Sequence, residues 1–175
     1  TNDGDQDLKA LDLAFSKTEN SSDHRKEWLC SYDRNDTLDY NKKKISMMDF
    51  VNKDLKHFSF SDNARSIPNL VDGLKTSQRK VLFTALLRNL SKEIRVAQFA
   101  GSVSELSAYH HGEASLYGTI TNMAQDYVGP NNINLFEPIG QFGSRLNGGK
   151  DAAQPRYIHT CLLYTSDGCR RTNAC

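Results

Sequence analysis

No stretch of this 175-residue sequence approaches the roughly 18 consecutive apolar residues that a membrane-spanning helix needs. Its first residues, Thr1-Asn2-Asp3-Gly4-Asp5, lack the basic and apolar pattern of a secretory signal. A membrane or secreted reading loses its main support. Cysteine is scarce where it would inform: Cys30 stands alone, while Cys161, Cys169 and Cys175 crowd the end with spacings that match neither a zinc ribbon nor a redox CxxC pair. No metal ligands and no disulfide framework are assigned. What is present, 38% hydrophobic and 25% charged residues, places the chain among ordinary globular proteins of one domain or at most two and argues against disorder throughout. The first residue is Thr rather than Met, which suggests that the sequence begins inside a longer protein.

A net charge of +1 conceals an uneven distribution. Residues 1–41 carry ten acids and five bases, whereas residues 42–100 carry twelve bases and five acids. A basic middle suits a polyanionic partner, though a solvated lysine-rich helix face would read the same way.

Residues 1–45 are polar, with Leu8, Leu11, Leu13, Ala14 and Phe15 lining part of one helix and Trp28-Leu29 closing a second. Loosely packed helices with a linker-like connection are expected there. From Met47 the spacing of Phe50, Val51 and Leu55 predicts an amphipathic helix, and Ser61-Asp62-Asn63 reads as a turn. Ile67 precedes a proline and is expected to be extended, and Asp72-Gly73 supplies a bend.

A helix is predicted from Ser77, capped by Ser77 or Thr76, with Val81, Leu82, Ala85, Leu86 and Leu90 on its buried face. Lys75, Arg79 and Lys80 cluster at its start, where cations oppose the helix dipole and call for an anion, a part that a phosphate could fill. Next come a helix over Val96–Leu106, broken or bent near Gly101, and another from Leu116 to Tyr127, joined by Ser107-Ala108-Tyr109-His110-His111-Gly112-Glu113. Two short helices around a glycine-containing turn outline a helix-turn-helix. Ile133, Leu135 and Ile139 alternate as in a short strand, and Asn147-Gly148 is the favoured dipeptide of a type I′ hairpin, so a β-wing is expected after the second helix. The fold expected is thus α+β and mainly helical: a winged helix (helix-turn-helix plus β-wing) preceded by a loosely packed helical linker.

Tyr157 follows Arg156 on a glycine-rich segment that also carries Arg145 and Lys150. Tyrosine can act as a covalent nucleophile, but a free phenol titrates near about 10 and needs a base or nearby positive charge. A guanidinium beside it could bear the extra charge of a phosphoryl transition state. The residue types also suit a half-buried strand aromatic next to a surface ion-pair partner.

The order of motifs decides between these readings. SIPNLVDGLKTSQRKVLF at 66–83, VAQFAGSVSELSAYHHGEASLYGTI at 96–120 and NLFEPIGQFGSRLNGGKDAAQPRYI at 134–158 together resemble the eukaryotic DNA topoisomerase II family. The resemblance covers roughly 45–160 and, more loosely, LDLAFSK and HRKEWL in the acidic start. It implies that residues 1–45 are the end of a Toprim region and its linker, and that 46–160 are a winged-helix DNA breakage-reunion domain. It identifies Tyr157 with the tyrosine that forms a 5′-phosphotyrosyl intermediate and Arg156 with the arginine that stabilises the transition state. Lys75, Tyr109 and Ser115 match positions that touch DNA, His110 and His111 lie in the matching YHHGE segment beside the bound strand, and Arg79, Lys80, Arg145 and Lys150 join them as candidate DNA contacts.

The implied parent is nuclear, homodimeric, dependent on Mg²⁺ and ATP, and acts on double-stranded DNA. This chain lacks the family's ATP-binding region and the acidic cluster that holds Mg²⁺, so no cofactor is assigned to its own residues. Two departures stand out: Thr76-Ser77 replace the usual proline and small residue, and His159 replaces an aromatic. After Thr160 the sequence resembles translated vector or adapter text, and 161–175 are expected to be a non-native tail outside the fold. A winged-helix DNA-binding module without covalent chemistry, reading a groove with the helix Ala114–Tyr127, is the alternative, and a plain interaction domain is the third.

Overall fold

The computed structural model describes residues 2–109 and 111–163. Two compact units part between Ile67 and Pro68, whereas the sequence reading set its boundary at 45/46.

The first unit is helical: α1 (Asn2–Phe15), α2 (Ser21–Cys30) and a continuous rod made of α3 (Met47–Phe50), a π-helical turn (Val51–Leu55) and α4 (Lys56–Ser66). Its core is small. Ala10, Trp28 and Val51 are buried, with Leu13, Leu29, Met48 and Leu55 packed around them. The Trp28 indole N–H donates to Asn52 Oδ1 at 3.0 Å, which satisfies the one polar atom that the ring brings inside. Ser61-Asp62-Asn63 does not turn the chain but continues α4, because Asp62 is engaged within the helix, accepting from Arg65 Nε at 2.9 Å and from Ser66 Oγ at 3.3 Å. The helix stops where proline demands it: Ile67 is extended, with φ −91° and ψ 128°.

The second unit packs α5 (Thr76–Leu87), α6 (Val96–Leu106) and α7 (Glu113–Ala124) against one another, with a two-stranded antiparallel sheet of β1 (Ile94–Arg95) and β2 (His159–Thr160) at one end. Val81, Ala85, Val96, Phe99, Ala100, Val103, Leu116, Ile120 and Phe136 form a fully buried core. Among the described residues the architecture is mainly helical with this one small sheet. No helix among them is long and apolar enough to cross a membrane.

Several expectations are corrected. Helix α5 begins one residue earlier than Ser77, with Lys75 as N-cap. Thr76 therefore occupies the first helical position, where proline is also favoured, and this explains how the substitution leaves the helix start in place. Leu86 is exposed; the buried stripe is narrower, completed by Thr84, whose hydroxyl donates to Lys80 O at 3.0 Å and so can sit in the core. Helix α6 runs unbroken through Gly101, since the burial of Phe99, Ala100 and Val103 outweighs a glycine penalty of about 1 kcal/mol. Helix α7 ends at Ala124, short of Tyr127, where the Asn131 side-chain amide donates to Gln125 O at 2.8 Å.

No regular strand forms over 133–139. Phe136 and Ile139 make single bridges to Leu162 and His159, and Pro138 between them has no N–H to extend a ladder. Nor is Asn147-Gly148 a type I′ turn, which needs positive φ at both residues. Positive φ falls on Gly148 and Gly149 instead. The tail enters the fold through its first residues: Cys161 and Leu162 are buried, and Leu162 N donates to Leu90 O at 2.9 Å. Cys169 and Cys175 lie outside the described residues.

Candidate nucleic-acid interface

Tyr157 stands on a turn fixed by the start of α6. The first N–H groups of a helix have no partner within it. Here Ala97 N donates to Pro155 O at 3.1 Å and Val96 N to Ile158 O at 3.0 Å, so the backbone is held on both sides of Arg156-Tyr157. Tyr157 N closes the turn onto Gln154 O at 2.8 Å. Ile158 is buried at 1% exposure and anchors the segment, leaving the Tyr157 side chain 65% exposed. It is not a half-buried strand aromatic. The Arg156 guanidinium carbon lies 5.0 Å from the centre of the Tyr157 ring, within cation–π range.

Arg145 and Lys150, both on the surface, sit on a compact loop preceding this turn. Gly143 (φ 96°) and Gly149 (φ 79°) cross where no side chain fits: a Cβ on Gly143 would lie 2.6 Å from Gly149 Cα, and one on Gly149 would lie 2.5 Å from Gln125 Nε2. Ser144 N donates to Asp151 Oδ1 at 2.8 Å, and that bond foremost holds the Asp151 carboxyl down at about 2. Gln125, buried just after α7, donates from Nε2 to Phe142 O at 2.8 Å. Beside it the Tyr127 hydroxyl is buried with no hydrogen-bond partner among the described residues, and burial foremost pushes its ionisation upward.

A second cluster forms where α5 meets the α6–α7 connector. Lys80 Nζ donates to Ala108 O at 3.1 Å and lies 5.7 Å from the Tyr109 ring centre. Tyr109 donates its hydroxyl to Ser115 Oγ at 3.0 Å, and the His111 ring meets Tyr109 edge-on at 5.4 Å. Lys80, Tyr109, His111 and Ser115 are thus brought together; His110 lies outside the described residues. Lys75, the N-cap of α5, is exposed. Arg79 has its anion within the chain: Nε donates to Asp72 Oδ2 at 2.7 Å and Nη2 to Asp72 Oδ1 at 2.9 Å, and this pairing holds the Asp72 carboxyl at about 2. An open groove of about 490 Å³ runs along this cluster, lined by Arg79, Lys80, Phe83, Leu106 and Ala108 among others.

Sequence reasoning missed Asp72, Asp151 and Gln125. The two acids carried a weak signal as the carboxylates nearest the cationic motifs. Gln125 carried none, because its function depends on a loop seventeen residues away.

The acids present do not suit a divalent cation. Among the described residues no group of three or more His, Cys, Asp or Glu side chains could hold a metal ion. No step below passes through one.

Comparison with known proteins defines the class first. Residues 65–168 match the profile of the family described as the A-type polypeptide of DNA gyrase/topoisomerase IV, and residues 1–63 match the C-terminal associated domain of TOPRIM. The first match continues past Thr160, where the sequence reading ended the resemblance. The chain belongs to the DNA topoisomerase II family. It is 55% identical over 171 residues to DNA topoisomerase 2-beta of Gallus gallus and of Homo sapiens, covering 91% of this chain and 10% of each relative. It is 56% identical over 153 residues to the probable DNA topoisomerase 2 of Dictyostelium discoideum, covering 87% and 10%. The crystal structure of the Plasmodium falciparum topoisomerase II DNA-binding, cleavage and re-ligation domain superposes with a TM-score of 0.71 at 52% identity, covering 90% of this chain and 21% of that one. The chain thus spans about a tenth of the length of the curated relatives it matches.

Proposed function

We propose that this chain is the DNA-breaking segment of a type IIA topoisomerase and that Tyr157 is its nucleophile. The phenol oxygen attacks a backbone phosphorus. A Tyr157 Oη–P bond forms as the P–O3′ bond breaks, the phenolic proton is lost and the 3′ oxygen takes one up. The product is a 5′-phosphotyrosyl link. Reversal reseals the strand, because the phosphodiester energy is kept in the protein linkage. Arg156 travels with the phenol and bears the charge that develops on the phosphoryl oxygens.

Helices α6 and α7 serve as a helix-turn-helix and the loop over 143–151 as the wing of a winged helix. Lys75, Lys80, Tyr109, His111 and Ser115, with His110 beside them, hold the backbone of the bound strand, and Arg145 and Lys150 hold it near the tyrosine. Arg79 contributes mainly by bracing the turn that carries Lys75, its charge being balanced by Asp72. Residues 1–63 are the end of the Toprim region. The whole protein is a nuclear homodimer that uses ATP and Mg²⁺ to pass one duplex through another, with metal and nucleotide held outside this chain.

One observation carries the reading: an exposed tyrosine with a guanidinium on its ring, on a turn pinned from both sides by α6. The test places the segment in an intact parent enzyme, supplies duplex and Mg²⁺, and looks for protein-linked DNA after denaturation. Tyr157→Phe should remove the adduct and keep DNA binding. Binding with no adduct from the unaltered protein would instead favour a non-catalytic winged-helix module.

A further inference from the structure

The most exposed side chain of the second unit's basic loop is apolar. Leu146, at 98% exposure, stands between Arg145 and the glycines that precede Lys150. A leucine left in water on a mobile surface tail would mean little, since single exposed apolar residues are common. This one is held out by a loop with several independent restraints. Gly143 and Gly149 cross at a separation no side chain permits, and Gln125 binds Phe142 O from beneath. Asp151 closes the loop on Ser144 N, Gly149 N returns to Ser144 O at 3.0 Å, and Ala153 N donates to Gln141 O at 2.8 Å. A segment so restrained could have turned Leu146 toward the protein; it presents it instead.

Resting on the reading that this face meets duplex DNA, we propose that Leu146 is a wedge that enters a base step of the bound duplex, with Arg145 and Lys150 on the flanking phosphates. Apolar side chains on rigid elements serve this purpose in other DNA-binding proteins, where partial unstacking kinks the duplex and brings more of it against the protein. The chemistry here is complementary: two cations suit phosphates and one aliphatic side chain suits base faces, whereas an acidic peptide would leave Leu146 in water. A pre-ordered loop also places the wedge without an ordering cost on binding. The consequence for function is that bending would be localised near the strand that Tyr157 attacks.

The experiment uses the full chain and short duplexes carrying aminopurine at successive steps, whose fluorescence rises when the base unstacks. The unaltered chain should raise the signal about twofold or more at one step, as expected for local unstacking by a wedge. Leu146→Ser should abolish that rise and leave the salt dependence of binding unchanged, while Leu146→Met should retain it. Arg145→Ala with Lys150→Ala should flatten the salt dependence. Circular dichroism of each variant should match the parent, since Leu146 is held almost wholly in solvent. An equal rise with Leu146→Ser, or no rise at any step despite salt-dependent binding, overturns the wedge and leaves the DNA reading intact. A chain with no salt-dependent affinity for duplex overturns that reading and the wedge with it.

Discussion

Gly143 and Gly149 meet so closely that a Cβ on the first would lie 2.6 Å from the Cα of the second. The contact is backbone to backbone, so no rotamer can relieve it. Gly143→Ala should therefore destabilise the second unit by about 2–4 kcal/mol, combining overpacking with a strained positive φ. Gly148→Ala, also at positive φ but with open space around its Cβ, should cost only about 1 kcal/mol. Urea denaturation of the two variants should separate the values.

Gln125→Leu removes the donor from a buried carbonyl. The orphaned Phe142 O should lower stability by about 1–3 kcal/mol. Hydrogen exchange should quicken at Gly149 N and Ser144 N, the bonds that close the loop above it.

Acid should loosen two turns together. Asp72 and Asp151 have folded-state pKa values of about 2, depressed from an ordinary 3.8. A depressed carboxylate stabilises the fold above its unfolded pKa and loses that contribution as pH falls through the folded value. Both groups are solvent-accessible, so the effect is modest. The melting-temperature gap between the parent and Asp151→Asn should be present near neutral pH and close as pH falls from 3.8 toward about 2. A gap that widens in acid would contradict the assignment.

Much of this was legible in residue order, and the failures share a cause. The helical spacing of Val81, Ala85 and Leu90 announced α5, and Ile67-Pro68 announced the break before it. Gly101 and Asn147-Gly148 misled because their local preferences, each about 1 kcal/mol, were overruled by contacts distant in sequence: the core under Phe99 and Val103 in one case, Asp151 and Gln125 in the other. The site cations were visible as a cluster, but not that Arg79 is already paired with Asp72 while Lys80 lies over Tyr109. Pairing of that kind is decided by side-chain geometry, which spacing does not encode.

That difference between neighbours can be measured. Lys80→Ala should weaken duplex binding alike for all sequences and reduce the slope of log affinity against log salt by about 1. Arg79→Ala should change the slope less and instead destabilise the turn that precedes α5. Titrations at several salt concentrations, with thermal melts alongside, distinguish the two.

The central claim is chemical, and identifying the covalently linked residue tests it most directly. An intact parent carrying this segment would be stopped with denaturant during cleavage, digested with nuclease and protease, and the nucleotide-bearing peptide sequenced by mass spectrometry. The account predicts a nucleotide joined through its 5′ phosphate to the oxygen of Tyr157. A nucleotide on any other side chain, or a 3′ linkage, would contradict it.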